Sequence, residues 1–380
     1  MESSMSLTLS GCLQRQQRLR ERMALLEVEA AFITDARDIY YFTGALLPLW
    51  PACLAMTTAG GAWLAAHTRE GVDAGVVNDC ITYDAQTFYT NNPDPMRLLN
   101  GVVARYLDGA PPLRRAAMQT ESMSRLLAGT IERTLHLQEW GILDDELADL
   151  QARKDADEIA LIRRSIRANQ AAYTAVQAII APGINELDVL AAGQHAAMLD
   201  AGEIVIHNGD YRSGALGGAA RNRPIEVGEL YTVDAQTVYR GYWCDMSRTY
   251  SVGRAPSELQ QSIYEHIAAI QSDVVHLLKP GLRGTQLWAI LDARIREHPA
   301  LATSGLMHHA GHGVGLRAHE APDLNRDREG VLEAGHVVAV EPGGYVDEAR
   351  YGVRLENMYL ITESGAELLS DDPLSLMPQQ

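Results

Sequence analysis

Lysine is almost absent from this 380-residue chain: only Lys154 and Lys279 stand among its 32 basic residues. No Gly-Lys-Ser/Thr occurs, which excludes a P-loop, and few side chains remain for Schiff-base chemistry. Positive charge as a whole is short, 32 basic against 49 acidic residues, for a net charge of −17. Such a chain repels phosphate backbones and anionic bilayers, so neither nucleic acid nor a membrane surface is expected as a partner. Cys12, Cys53, Cys80 and Cys244 form no Cys-x-x-Cys pair and read as incidental thiols in a reducing compartment. No window approaches about 18 uninterrupted apolar residues, the length a membrane-spanning helix needs. Residues 1–23 lack a basic start followed by an apolar run, so no secretory signal is expected and the expected location is the cytoplasm.

What is present is ordinary for a globular protein: 47% hydrophobic and 21% charged residues, in a length that suits two domains. The first 150 residues predict an α/β domain. Arg15 to Leu26 reads as a helix and Ala30 to Thr34 as an apolar strand. The runs 53–58 and 62–66 flank Ala-Gly-Gly as a hairpin. Nothing here clusters ionisable residues, so a scaffold or dimerisation role is expected. The charged stretch 144–158 opens a long helix, with Asp155 and Glu158 as a capping box and Ile159, Ile162 and Ile166 on one apolar face. The domain boundary is placed near residue 152, giving 1–152 and 153–380. In the second part, Ile180-Ala-Pro-Gly-Ile-Asn-Glu-Leu187 is echoed by Leu278-Lys-Pro-Gly-Leu-Arg-Gly-Thr-Gln-Leu287, and Ser257 with Gln260 repeats the capping box. A duplicated helix–helix–hairpin unit predicts two halves about a pseudo-twofold axis, with a cleft between them.

Each predicted hairpin carries two acidic residues. Asp234 lies in an apolar, β-branched run, where burial and strand preference disfavour a carboxylate. A turn centred on Tyr239-Arg240 sets it opposite Asp245, and opposed carboxylates repel unless a cation separates them. Glu341 and Glu356 lie about a second centre near Glu348-Ala349. Between the hairpins, Gly-His312-Gly lets the backbone approach a ligand closely. Each feature alone is weak. Four acids on two mirrored hairpins with one imidazole instead describe an oxygen-rich site for two divalent cations.

These residues resemble the five-ligand pattern of the creatinase/aminopeptidase P/methionine aminopeptidase superfamily: the Asp234/Asp245 pair, Gly-His312-Gly-Val-Gly, Val-Glu341-Pro-Gly and Gly-Val-Arg-Leu-Glu356. The match covers about residues 145–370. It implies an α+β "pita-bread" catalytic domain behind an α/β N-terminal domain of the creatinase and prolidase type, which Arg37-Asp-Ile-Tyr-Tyr-Phe-Thr-Gly44 resembles more loosely. Carried over, the resemblance gives Asp234 to one metal, His312 and Glu341 to the other, and Asp245 and Glu356 to both. It implies a metal-bridging hydroxide as nucleophile, with Glu341 accepting and returning its proton. His308 and His319 match histidines that contact substrate or stabilise an oxyanion, and Arg354 one that orients carboxylates. The activity implied is cleavage of small peptides by a Xaa-Pro aminopeptidase or dipeptidase, with Mn²⁺ foremost and Co²⁺, Zn²⁺ or Fe²⁺ as alternatives, in a homodimer.

Two positions depart from that pattern. Peptidases of the family usually carry a histidine about seventeen residues before the first aspartate, where this chain has Gly217; the nearest histidine is His207. Gln236 stands where many relatives have glycine. Gly217 is expected to open space beside the site, which supports an alternative reading as a non-peptide C–N hydrolase or lyase acting on a small metabolite. A metal-silent binding protein is the lesser alternative. Arg221, Arg223, Arg317 and Arg354 are candidates to receive a substrate carboxylate.

Overall fold

The computed structural model describes residues 5–47, 50–69, 72–73 and 75–378, so residues 1–4 of the opening stretch lie outside the described residues. It resolves two units, Met1–Gln151 and Ala152–Gln380.

The first unit is built on a six-stranded mixed sheet in the order Asp79–Thr82, Ala62–Ala66, Cys53–Thr57, Ala30–Ile33, Arg115–Met118, Glu139–Ile142. The 53–57 and 62–66 runs pair antiparallel, as their alternation and glycine turn require. Phe32, Leu99, Val103, Leu127 and Ile131 share one buried apolar cluster between strands and helices. The helix Ala36–Thr43 is capped by Asp35, whose side chain accepts from the Arg37 amide, and stops at Gly44 with φ 70°.

The charged run 144–158 makes two helices rather than the start of one. Asp144–Ala152 ends, and Ala156–Ile179 begins afresh because Asp155 takes an extended conformation as its cap, completing the capping box with Glu158. In the second unit the helices Ala156–Ile179 and Glu186–Ala201 precede a three-stranded sheet of Tyr242–Ser251, Leu230–Tyr239 and Ile206–Ser213. The order then repeats. Helices Glu258–Leu277 and Gly284–Ile295 precede a five-stranded sheet in the order Glu320–Leu324, Gly311–Gly313, Val337–Val340, Asn357–Thr362, Gly365–Leu368.

The strand carrying Asp234 is fastened to the first long helix by polar side chains four residues apart. Ser165 Oγ donates to Thr237 O at 2.6 Å, Asn169 Nδ2 to Ala235 O at 2.7 Å and the Tyr173 hydroxyl to Val233 O at 2.9 Å. Buried donors satisfied in this way hold one register of strand against helix. In the second half apolar side chains dominate the contact, Ile263, Ile267, Ile270 and Val274 against Val338, Val340 and Tyr359, and one polar side chain joins them: Gln271 Nε2 donates to Val340 O at 3.2 Å and to the Tyr359 hydroxyl at 3.1 Å.

The first hairpin differs from expectation by one residue in its turn. Tyr239 pairs with Tyr242, so the loop is Arg240-Gly241, and Asp234 faces Ser247 while Asp245 faces Gln236. Both loop residues have positive φ, 47° and 84°, the tight-turn geometry that matches strand twist. The two aspartates are therefore diagonal neighbours rather than directly opposed. In the second hairpin Val340 pairs with Asn357 and Gly343 with Arg354, a register that sets Glu341 against Glu356 about the expected centre.

Candidate metal centre

One cavity of about 320 Å³ is lined by Asp234, Asp245, His308, His312, His319, Glu341, Arg354 and Glu356, which are the five metal-ligand candidates and the three residues expected to contact substrate or orient carboxylates. Asp234 and Asp245 come from the two central strands of the first half. Glu341 and Glu356 stand just beyond the Val337–Val340 strand and just before the Asn357–Thr362 strand. His312 sits on the short strand Gly311–Gly313, squeezed between two neighbours. A Cβ at Gly311 would lie 1.9 Å from Ala339 O, and one at Gly313 would lie 2.0 Å from Ala321 O. The flanking glycines are thus demanded by strand spacing, which presses the imidazole into the cavity.

Ligand atoms of Asp234, Asp245 and Glu356 come within 4.8 Å of one another, as do those of His312, Glu341 and Glu356. Glu356 belongs to both groups. Its backbone N–H donates to Ser247 O at 3.0 Å, so it stands where the two half-sheets meet. Three carboxylate oxygens, Asp234 Oδ1, Asp245 Oδ1 and Glu356 Oε2, are buried with no hydrogen-bond partner among the described residues. Burial, compounded by Asp234 and Glu341, drives the Asp245 carboxyl well above its usual pKa. Burial with Asp245 and Glu341 does the same to Glu356, and burial raises Asp234 despite the neighbouring Arg354. Carboxylates so placed are stable in ionised form only beside positive charge.

Glu341 behaves oppositely. Burial would raise it, but the close contact with His309 Nδ1 at 3.1 Å and the surrounding imidazoles of His308 and His312 hold it well below the usual range. Burial lowers His312 to about 4, leaving a neutral imidazole at physiological pH, the form that ligates metals. His319 stacks on His312 with ring centroids 3.6 Å apart. Unpartnered buried oxygens in a carboxylate-rich set with an available imidazole fit hard to borderline divalent cations.

Several neighbours were not singled out by sequence reasoning. His309, adjacent to His308, places Nδ1 3.1 Å from Glu341 Oε1. Tyr345 places its hydroxyl 2.9 Å from His308 Nε2 and 3.5 Å from Arg354 Nη1. Asp210 accepts from Arg354 Nη2 at 2.6 Å, and the same nitrogen is 2.6 Å from Asp234 Oδ2. Gln236, by contrast, was singled out as a departure from the family pattern, and it donates to Asp245 Oδ2 at 2.6 Å, a consequence of the register that puts them opposite.

Other expectations are corrected. Gly217 does not open space, because Asp210 and Arg354 fill it: a Cβ there would meet Asp210 Oδ2 at 2.2 Å. His207 does not reach the cavity; it is buried between Thr237 Oγ1 at 2.8 Å and the Tyr211 hydroxyl at 2.6 Å. Arg221 and Arg223 are engaged by Glu186 and Glu229, each at 2.6 Å, and neither lines the cavity, nor does Arg317.

Comparison with known proteins agrees with this centre. Residues 160–363 match metallopeptidase family M24, and residues 15–124 match the creatinase/prolidase N-terminal domain. The chain belongs to metallopeptidase family M24, a family of hydrolases that use divalent metal ions. It is 31% identical over 261 residues to the Xaa-Pro dipeptidase of Pyrococcus furiosus, covering 67% of this chain and 74% of that protein. It is 30% identical to the probable dipeptidase PepE of Mycobacterium tuberculosis, covering 73% of each. The crystal structure of the prolidase from Pyrococcus horikoshii superposes with a TM-score of 0.77 at 26% identity, over 96% of this chain and all of that one. The pita-bread catalytic fold with its creatinase-type N-terminal domain is thereby shared.

Proposed function

We propose that the chain is a dinuclear metal-dependent peptidase that cleaves the amide before proline in small peptides, as a Xaa-Pro dipeptidase or aminopeptidase. The observation that carries this reading is the set of three buried, unpartnered carboxylate oxygens converging with His312 and Glu341. Relatives named Xaa-Pro dipeptidase and prolidase support the substrate class. In this reading Asp234 serves one cation, His312 and Glu341 the other, and Asp245 and Glu356 both. Manganese suits a donor set dominated by oxygen with one imidazole. When bound, the cation pair supplies Lewis-acid polarisation of the scissile carbonyl and lowers the pKa of water.

The side chains do the rest. Glu341 takes a proton from the attacking water and returns it to the leaving amine, with His309 holding its carboxylate in place. His308, braced by Tyr345, and His319, stacked on His312, present imidazoles to the substrate and the developing oxyanion. Arg354 fixes Asp234 through the contact at 2.6 Å. Residues 153–380 carry the catalysis and residues 1–152 a scaffold or dimerisation role, in a cytoplasmic homodimer. No helix among the described residues is long and apolar enough to cross a membrane.

The test is a panel of Xaa-Pro dipeptides and tripeptides assayed after manganese reconstitution, with metal content measured on the same sample. Release of free proline or of the N-terminal residue is expected. Complete metal loading without turnover of any member would defeat the reading.

A further inference from the structure

Six charged side chains line the cavity other than its histidines: Asp210, Asp234, Asp245, Glu341 and Glu356 against Arg354. Two dications would balance the four carboxylates assigned to them, leaving Asp210 as the acid outside that set, paired with Arg354 through one oxygen. Its position is built rather than incidental. His207 and Tyr211 bond each other in the interior, so strand alternation aims Asp210 into the cavity. The loop that follows folds back on the same strand: Tyr211 N donates to Gly218 O and Arg212 Nη1 to Gly217 O, each at 3.1 Å. That fold lays Gly217 against the Asp210 carboxylate so closely that a Cβ would come within 2.2 Å of Oδ2 and 3.3 Å of Arg354 Nη2. Glycine at 217 is what lets a carboxylate occupy this place.

One oxygen of Asp210 is committed to Arg354. No described residue donates to the other, and the side chain keeps 30% of its exposure. A carboxylate oxygen open to a cavity whose remaining acids are matched by cations is an acceptor for a cationic group of the ligand. Resting on the peptidase reading above, we infer that Asp210, seated by Gly217, receives the free ammonium group of the substrate and so selects peptides with an unblocked amine.

The experiment compares the manganese-loaded wild type, D210N, G217A and D210N/G217A. The ligands are Ala-Pro and its des-amino analogue propanoyl-proline. Affinity is read as KM or as an inhibition constant, and as Kd by calorimetry where no turnover occurs. The wild type is expected to prefer Ala-Pro by about tenfold or more, the worth of one charge-assisted hydrogen bond. D210N weakens Ala-Pro until the preference disappears, while propanoyl-proline stays within about twofold. G217A has the same effect by displacing the carboxylate, and the double variant is no worse than D210N. G217A also keeps the idea testable should D210N fail to fold. Equal weakening of both ligands in D210N would reduce Asp210 to a prop for Arg354 and overturn the inference. So would a wild type that binds Ala-Pro no better than propanoyl-proline, or not at all. Ala-Pro bound with the expected preference but never cleaved would instead sink the peptidase reading and leave this inference standing.

Discussion

The two halves of the second unit repeat one plan and use it differently. In both, a Pro-Gly turn leads three residues on to a helix cap, Asn185 after Pro182 and Arg283 after Pro280. At the first helical position one half has Glu186 and the other Gly284. Glu186 is buried and ties its helix to the sheet region by accepting from Ser213 N at 3.1 Å and Arg221 Nη2 at 2.6 Å. Gly284 does so by backbone alone, its N–H reaching Gly330 O at 2.6 Å and its Cα lying so close to Asp323 that a Cβ would sit 2.1 Å from that carbonyl. The contrast continues into the cavity. The first half contributes Asp234 and Asp245, oxygen donors only, and the second brings Glu341 and Glu356 among four histidines. Environment, not residue type, then sets behaviour: burial among carboxylates pushes Asp245 up, whereas imidazoles pull the equally buried Glu341 down. The repeated plan supplies the scaffold, and the side chains set on it make its two sides chemically unequal.

The strongest way to break this comparison is through a residue that both proposed cation positions share. Asp245→Ala should remove both cations and lower activity by on the order of 10³-fold or more, the scale of lost Lewis-acid stabilisation. Elemental analysis and dipeptide turnover on one preparation check it, and substantial activity in this variant would contradict a shared role. His312→Ala sharpens the contrast between sides. It should weaken one cation by about 10²-fold or more and leave the other bound, so that metal content falls to about half at limiting manganese. Loss of both ions together would show that the halves do not act as separable donors.

Much of this arrangement was legible in the sequence because it is local. Capping boxes at Asp155/Glu158 and Ser257/Gln260 need only three-residue spacing, and both form. The second hairpin's register followed from matching acids about one centre. The first was displaced because Arg240 accepts a positive φ that favours glycine, a preference the alternation of flanking residues does not report. The five ligand candidates with His308, His319 and Arg354 line one cavity, since motif order encodes the half-to-half repeat, whereas Arg221, Arg223 and Arg317 lie outside it. Asp210 and His309 were not legible. Asp210 faces the cavity by strand alternation, but its seat against Gly217 and Arg354 depends on the loop that folds back on its strand, and His309 meets Glu341 through the chain before Gly311. Such contacts are tertiary, and spacing carries no trace of them.

The smallest effect belongs to the scaffold. Burial alone would raise the Glu186 carboxyl, but hydrogen bonds from Arg221 and Ser213 outweigh it and hold the group at about 2. The folded-state value lies below the unfolded one, so the stabilisation is complete above about pH 4.5 and drains away as pH falls towards 2. Glu186→Gln should therefore cost about 1–3 kcal/mol at pH 7, where Arg221 loses its charged partner. The gap in thermal midpoint between wild type and variant should narrow as the buffer is taken from pH 5 to pH 2.5. Metal content at neutral pH should not change, because Glu186 touches none of the cavity residues. A gap independent of pH would mean that the helix start is held by packing and backbone alone, as at Gly284, and that the two halves are tied down alike.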